Sequence, residues 1–298
     1  MAVRLWLYRR LFRLVGSLPL SFQWLLANAL WWVGYRLIGY RVAVVRANLW
    51  AAFPDANPTE RRAIERQFYR HLCDMFVETL ALSRQTPRRL GRRWQVDYAQ
   101  IDRLIDESGQ SLILLVSHQF NWEAGSWILQ PHIRHPQAVV YTSISDRAFE
   151  RAFLEVRQAN GQCFLSEKET VRLFRLLRER PHVVLLAADQ SPFSLAAARW
   201  CRFFHRPTPF HQGIEEVARR TNSRVAFLEL VRQGRGRYEA RIHPWDVDWA
   251  AAPTGDLTEA YVRFVEASIA RQPANYLWTH RRWKHSHRWR EFLPTEPA

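Results

Sequence analysis

The chain has 298 residues, 48% hydrophobic and 24% charged, a globular composition long enough to bury a sizeable core in one large domain or two small ones. Its 43 Lys and Arg against 28 Asp and Glu give a formal charge of +15, carried almost wholly by arginine, so the compatible partners are anions: nucleic acid, anionic lipid or an acidic carrier protein. Three scattered cysteines, Cys73, Cys163 and Cys201, have no CxxC spacing, which argues against a disulfide scaffold and fits a reducing compartment.

From Leu14 to Tyr35 no residue is charged, a length close to the roughly 20 residues of a membrane-spanning helix. The stretch predicts an N-terminal hydrophobic anchor helix, spanning the bilayer or lying in its interface with Trp24, Trp31 and Trp32 at the edge. A buried core helix is the competing reading, and a cleaved signal peptide fits poorly. No second stretch is comparable, so a polytopic membrane protein is not expected. The expected organisation is therefore an anchor segment over 1–50 and a catalytic domain over 51–298.

Residues 58–83 read as a long helix, with Ile64, Phe68, Leu72, Phe76 and Leu80 at four-residue intervals. A basic connector (87–93) and a helix over 99–108 follow. SLILLVS (111–117) is a continuous apolar run, as in a strand covered on both faces. Helix 122–130, strand 138–144, helices 146–159 and 167–180, strand 182–188, helix 213–221, strands 224–231 and 237–243 and helix 256–271 complete the pattern. Strand and helix alternating in this way predict an α/β fold, a mostly parallel central sheet flanked by helices.

The run LLVSHQFNWEAGSW places His118 and Glu123 where that first strand gives way to a helix. Five residues apart in one α-helix they would point to different faces. They can meet if His118 ends the strand, Asn121 caps the helix, and Glu123 lies in the first turn, where the helix dipole favours a carboxylate. The carboxyl end of a buried strand is also where α/β sheets build their sites. On that geometry Glu123 would orient the imidazole of His118, which would act as general base on a hydroxyl. No GxSxG elbow and no nearby Cys offers a nucleophile, which favours direct attack by a substrate hydroxyl. From spacing alone, a strand-end His and a helix-start Glu without catalytic duty remain the alternative.

SHQFNWE resembles the H-x4-D/E block of the glycerolipid acyltransferase superfamily, in the HxxNWE form of bacterial lipid A biosynthesis acyltransferases. Further blocks agree in order: RVAVVRANLWAAFP (41–54), AADQSP (187–192), FFHRPTPFHQGIEEVARRT (203–221) and LWTHRRWK (277–284). The resemblance implies transfer of a fatty acyl group, usually from acyl carrier protein and otherwise from a coenzyme A thioester, to a hydroxyl of a lipid A precursor or related glycolipid. It implies an enzyme at the cytoplasmic face of the inner membrane, without cofactor or nucleic acid. His118 and Glu123 would be the catalytic pair; Asn121, Arg157, Asp189 and Thr208 would contact substrate, Arg157 through phosphate or the carrier's acidic arm. Two blocks depart from the family's commonest form: Gln190–Ser191 follow the acidic residue where a second acidic one is usual, and Gln119–Phe120 stand where many members carry a Gly. The departures keep open a lysophospholipid, aminolipid or other lipid acceptor.

HRRWKHSHRWR (280–290) is the densest basic and aromatic stretch, and it fits lipid headgroups, a solvated tail or nucleic acid. His280, His285 and His287 lack an accompanying carboxylate or Cys, so no metal site is expected. Phe203, Phe204 and Phe210 are candidates for an acyl pocket or for core packing.

Overall fold

Proline 19 decides the form of the N-terminal segment. A residue before proline is pushed out of the α region, and Leu18 is extended, with φ −69° and ψ 141°. The first helix, α1 (Ala2–Ser17), therefore stops there and α2 (Leu20–Trp31) begins after the proline, followed by a π-helical turn over Trp32–Leu37. The single apolar helix expected over 14–35 is thus two short helices. The structure, a computed structural model, describes residues 1–249 and 251–292, and no helix among them is long and apolar enough to cross a membrane.

The helices α3 (Val42–Ala52) and α4 (Pro58–Ala81) follow. Asn57 caps α4 by accepting from the amides of Thr59 and Glu60, Glu60 reaches back to the Asn57 amide, and Pro58 occupies the first turn. Phe12, Val15 and Ala27 are buried against Val77, Leu80 and Ala81 of α4 and against Phe153. Gly16 permits the closest approach: a Cβ there would lie 2.8 Å from Cβ of Arg84, just past the end of α4. The expected basic connector contains a turn of helix, α5 (Pro87–Gly91).

The next elements are β1 (Trp94–Val96), α6 (Tyr98–Asp106), β2 (Leu112–Val116), α7 (Trp122–Leu129), β3 (Gln137–Tyr141), α8 (Arg147–Arg157), β4 (Cys163–Ser166), α9 (Thr170–Glu179) and β5 (Val183–Ala187). A hairpin of β6 (Ala198–Phe203) and β7 (Arg206–His211) leads to α10 (Gly213–Thr221), β8 (Arg224–Gly234), β9 (Arg237–Trp245) and α11 (Asp256–Arg271). Seven strands form one sheet in the order β1-β9-β8-β2-β5-β3-β4, with only β8 and β9 antiparallel among its described pairs. The α/β expectation holds in this mostly parallel sheet.

Strand β2 is central because it has no polar face. Ile113 and Leu115 enter a core with α10 and α11 on one side; Leu112 and Leu114 enter a second core with α6 and α7 on the other. Short β1 and β4 lie at the sheet edges, where little periodicity can develop. The hairpin escapes sequence reading because its strands carry six arginine, proline and histidine positions that mimic a basic loop, Arg199, Arg202, Arg206, Pro207, Pro209 and His211.

Candidate active site

The register of β2 and β5 builds the centre of the site. Val116 pairs with Ala187 in parallel, so the residues two beyond each strand end, His118 and Asp189, come side by side. The His118 ring donates through Nδ1 to Oδ1 of Asp189 at 2.8 Å, and the His118 backbone N–H donates to Oδ2 at 3.1 Å. The carboxylate thus grips both ring and main chain. With the proton on Nδ1, Nε2 is left as acceptor. Asp189 is wholly buried, whereas the His118 side chain keeps 23% of its surface exposed.

Burial opposes charge on the His118 imidazole, but the Asp189 charge, its hydrogen bond and the Glu123 charge together outweigh it, and the pKa lies above the ordinary imidazole range. Burial likewise opposes the Asp189 carboxylate. The imidazole and the two hydrogen bonds from His118 overcome that and hold its pKa well below the usual range.

Glu123 does not orient His118 as the spacing predicts. It does sit in the first turn of α7, but its carboxylate accepts from Arg157, from Nε at 2.9 Å and also from Nη2, and from the Trp122 indole N–H at 3.1 Å. Trp122 meets the His118 ring edge-on, with centroids 5.1 Å apart. Glu123 therefore acts on the imidazole through its charge and through Trp122. Asp189, expected among the substrate contacts, takes the orienting place. The reason is topological: adjacent strands bring residues 71 positions apart into closer register than the turn brings residues five apart.

The other expected contacts are engaged with protein atoms. Arg157 bridges Glu123 while its guanidinium stacks 4.0 Å above the Phe153 ring, so the expectation of a phosphate or carrier contact meets a guanidinium already paired. Asn121 caps α7 through Oδ1 to the Ala124 N–H at 3.2 Å, and its Nδ2 donates to Oε2 of Glu78 at 3.0 Å. Thr208 is buried in β7 and donates to the Arg206 carbonyl at 2.8 Å. Asn121 and Thr208 are fully buried, so the contacts to substrate expected of them are not open in this conformation.

Sequence reading missed Glu78. This buried carboxylate on α4 accepts from Asn121, from the Tyr238 hydroxyl at 2.7 Å and from Arg93, and so fixes the loop that carries His118. It hides in the polar half of a helix pattern; only the failure of Glu78 to fall on the exposed face offered a hint. Tyr261 is a second support, donating to the Val116 carbonyl at 2.6 Å and accepting from the Ala188 N–H at 3.2 Å, thereby tying the ends of β2 and β5 together.

The C-terminal basic stretch is in part a structural brace. The backbone amide of Leu277 donates to the His118 carbonyl at 3.0 Å, and that of Phe120 to the Asn275 carbonyl at 2.9 Å. His280 accepts from the Ser191 amide at 3.1 Å, and burial pushes its pKa down to about 4. Arg282 is buried with its guanidinium 4.1 Å from the Phe210 ring centroid and bonded to the Pro209 carbonyl. Phe203, Phe204 and Phe210 belong to the core.

A hydrogen-bonded His–Asp pair at the carboxyl end of a parallel sheet can take a proton from a hydroxyl at Nε2 while the carboxylate steadies the imidazolium. The family model for bacterial lipid A biosynthesis acyltransferase matches residues 1–285. No curated protein matches the chain.

Proposed function

Because the chain belongs to the bacterial lipid A biosynthesis acyltransferases, enzymes that transfer acyl groups to lipid acceptors, we propose that it moves a fatty acyl group from a carrier-protein thioester to a hydroxyl of a phosphorylated glycolipid. His118 is the general base. Its Nε2 takes the hydroxyl proton as the alcohol oxygen attacks the thioester carbonyl carbon. The C–O bond forms, the C–S bond breaks, and the imidazolium returns its proton to the leaving thiolate. Asp189 holds the tautomer and stabilises the cation, and Glu123, fixed by Arg157, adds a second negative charge nearby.

The observation that carries this reading is the His118 Nδ1–Asp189 contact, which leaves Nε2 as the proton acceptor in a half-buried site. The positive charge of the chain supports anionic substrates on both sides of the reaction.

The reaction belongs at the cytoplasmic face of the inner membrane, where an acyl carrier thioester and a lipid acceptor meet. The chain carries a face suited to lying in that interface. Leu7, Leu11 and Leu14 of α1 recur at helical spacing and are exposed, as are Phe22 and Leu25 of α2 and Trp32, Leu37 and Ile38 beyond it. Of the tryptophans expected at the membrane edge, Trp32 is exposed, whereas Trp24 and Trp31 stack under Arg235 and Arg70.

The test is turnover of purified protein with labelled acyl carrier thioesters and a panel of lipid acceptors. His118→Ala is expected to lower kcat by roughly a hundred- to ten-thousandfold with unchanged circular dichroism. Transfer at the wild-type rate would refute His118 as base. The Gln190–Ser191 departure makes the acceptor panel decisive: transfer to a lysophospholipid or aminolipid in place of the glycolipid would keep the chemistry and reassign the substrate.

A further inference from the structure

The bend between α1 and α2 opens into a cavity of about 730 Å³, remote in sequence from the His118 loop. Three guanidinium-bearing residues line it, Arg84, Arg89 and Arg93. Arg93 is neutralised by Glu78 and held by the Gly236 carbonyl at 2.7 Å. Arg84 and Arg89 enter no ion pair among the described residues and are exposed. The cavity therefore presents net positive charge.

The cavity thus suits an anion. Gln23, which also lines the cavity, is only 3% exposed; its amide nitrogen donates to the Leu18 carbonyl at 2.9 Å, which ties the start of α2 to the bend. Part of the lining is apolar, Leu18, Pro19 and Leu20, and the two helices that the bend joins carry Leu14, Phe22 and Leu25, 65%, 55% and 62% exposed. Gly16 keeps the bend close to Arg84, since a Cβ there would collide with that side chain.

We propose that this cavity binds the headgroup of an anionic glycerophospholipid of the membrane on which α1 and α2 lie, a proposal that rests on the membrane-facing part of the reading above. The phosphodiester meets Arg84 and Arg89, and the acyl chains leave across the exposed leucines and Phe22. The site is distinct from the His118–Asp189 centre. It is joined to that centre by the Arg93–Glu78–Asn121 chain of contacts.

Titration of the full chain with dihexanoyl phosphatidylglycerol, below its micellar concentration, is expected to reveal one saturable site. Arg84→Ala combined with Arg89→Ala is expected to weaken it by roughly tenfold or more. Arg88→Ala combined with Arg92→Ala removes two exposed neighbours outside the cavity and is expected to leave binding unchanged. Equal weakening by both arginine pairs, or no saturable binding, would overturn the site. Vesicles of phosphatidylcholine, with and without phosphatidylglycerol, separate this idea from the reading it rests on. Binding the short lipid while ignoring both vesicles keeps the cavity and removes the membrane-facing role; binding both vesicles equally while ignoring the short lipid removes the cavity alone.

Discussion

At the scale of single residues, the site turns on which carboxylate holds His118. Asp189 touches the ring, and Glu123 acts from a distance while bound to Arg157. Both raise the imidazole pKa, so the base must lose a proton before it can work, and the acid limb of kcat/KM should lie above the ordinary imidazole value. Removing a negative charge disfavours the imidazolium. Asp189→Asn should therefore lower the His118 pKa, followed by NMR titration of the ring, and Glu123→Gln should lower it less. An equal drop from the two changes would contradict Asp189 as the orienting partner. Glu78 offers a stability test. It is buried with Arg93, Asn121 and Tyr238 around it, and Glu78→Ala leaves that arginine and two hydrogen-bonding groups without their acceptor. A loss of about 3–5 kcal/mol in urea unfolding is expected.

At the scale of elements, the bend at Pro19 and the contact at Gly16 decide how the N-terminal helices lie. The tight approach of Gly16 to the end of α4 leaves no room for a side chain, and the nearest atoms are Cβ and Cγ of Arg84 and the Ala81 carbonyl. Gly16→Leu should force α1 away from α4 and cost about 1–3 kcal/mol in denaturant unfolding, with His118 chemistry retained in the folded fraction. The element pattern itself was largely legible. The helix over 58–83 is found as Pro58–Ala81, the strand over 182–188 as Val183–Ala187, and the helices over 213–221 and 256–271 at those bounds. Long periodic helices and unbroken apolar strands announce themselves because burial writes their side-chain pattern. The edge strands β1 and β4, of three and four residues, have too few positions to show one. The uncharged run 14–35 misleads for another reason: hydropathy averages over Pro19, while the backbone cannot continue an α-helix through Leu18 in front of it.

At the scale of the whole molecule, the sheet, its helices and the N-terminal pair α1 and α2 place an apolar, arginine-flanked face on the same chain as the His–Asp pair. Leu11→Ser, Leu14→Ser and Phe22→Ser together should reduce partition into lipid vesicles by well over tenfold, since each buried side chain of this size contributes about 1.5–3 kcal/mol. Their exposure means that thermal stability should change little. A fall in melting temperature without a change in partition would show that the face packs within the protein.

Sequence by itself determined the α/β class, the position of His118 at a strand end, Asn121 as the cap of the following helix, and the family to which the blocks belong. These are local or ordered along the chain: an apolar run, a turn, a capping residue and a series of short motifs. The tertiary structure alone decided that Asp189 holds His118, that Glu123 is bound to Arg157, and that Asn121 answers to Glu78. Those partners are separated by 71, 34 and 43 positions, and each meeting depends on strand order and helix packing, which a linear pattern of side chains does not encode.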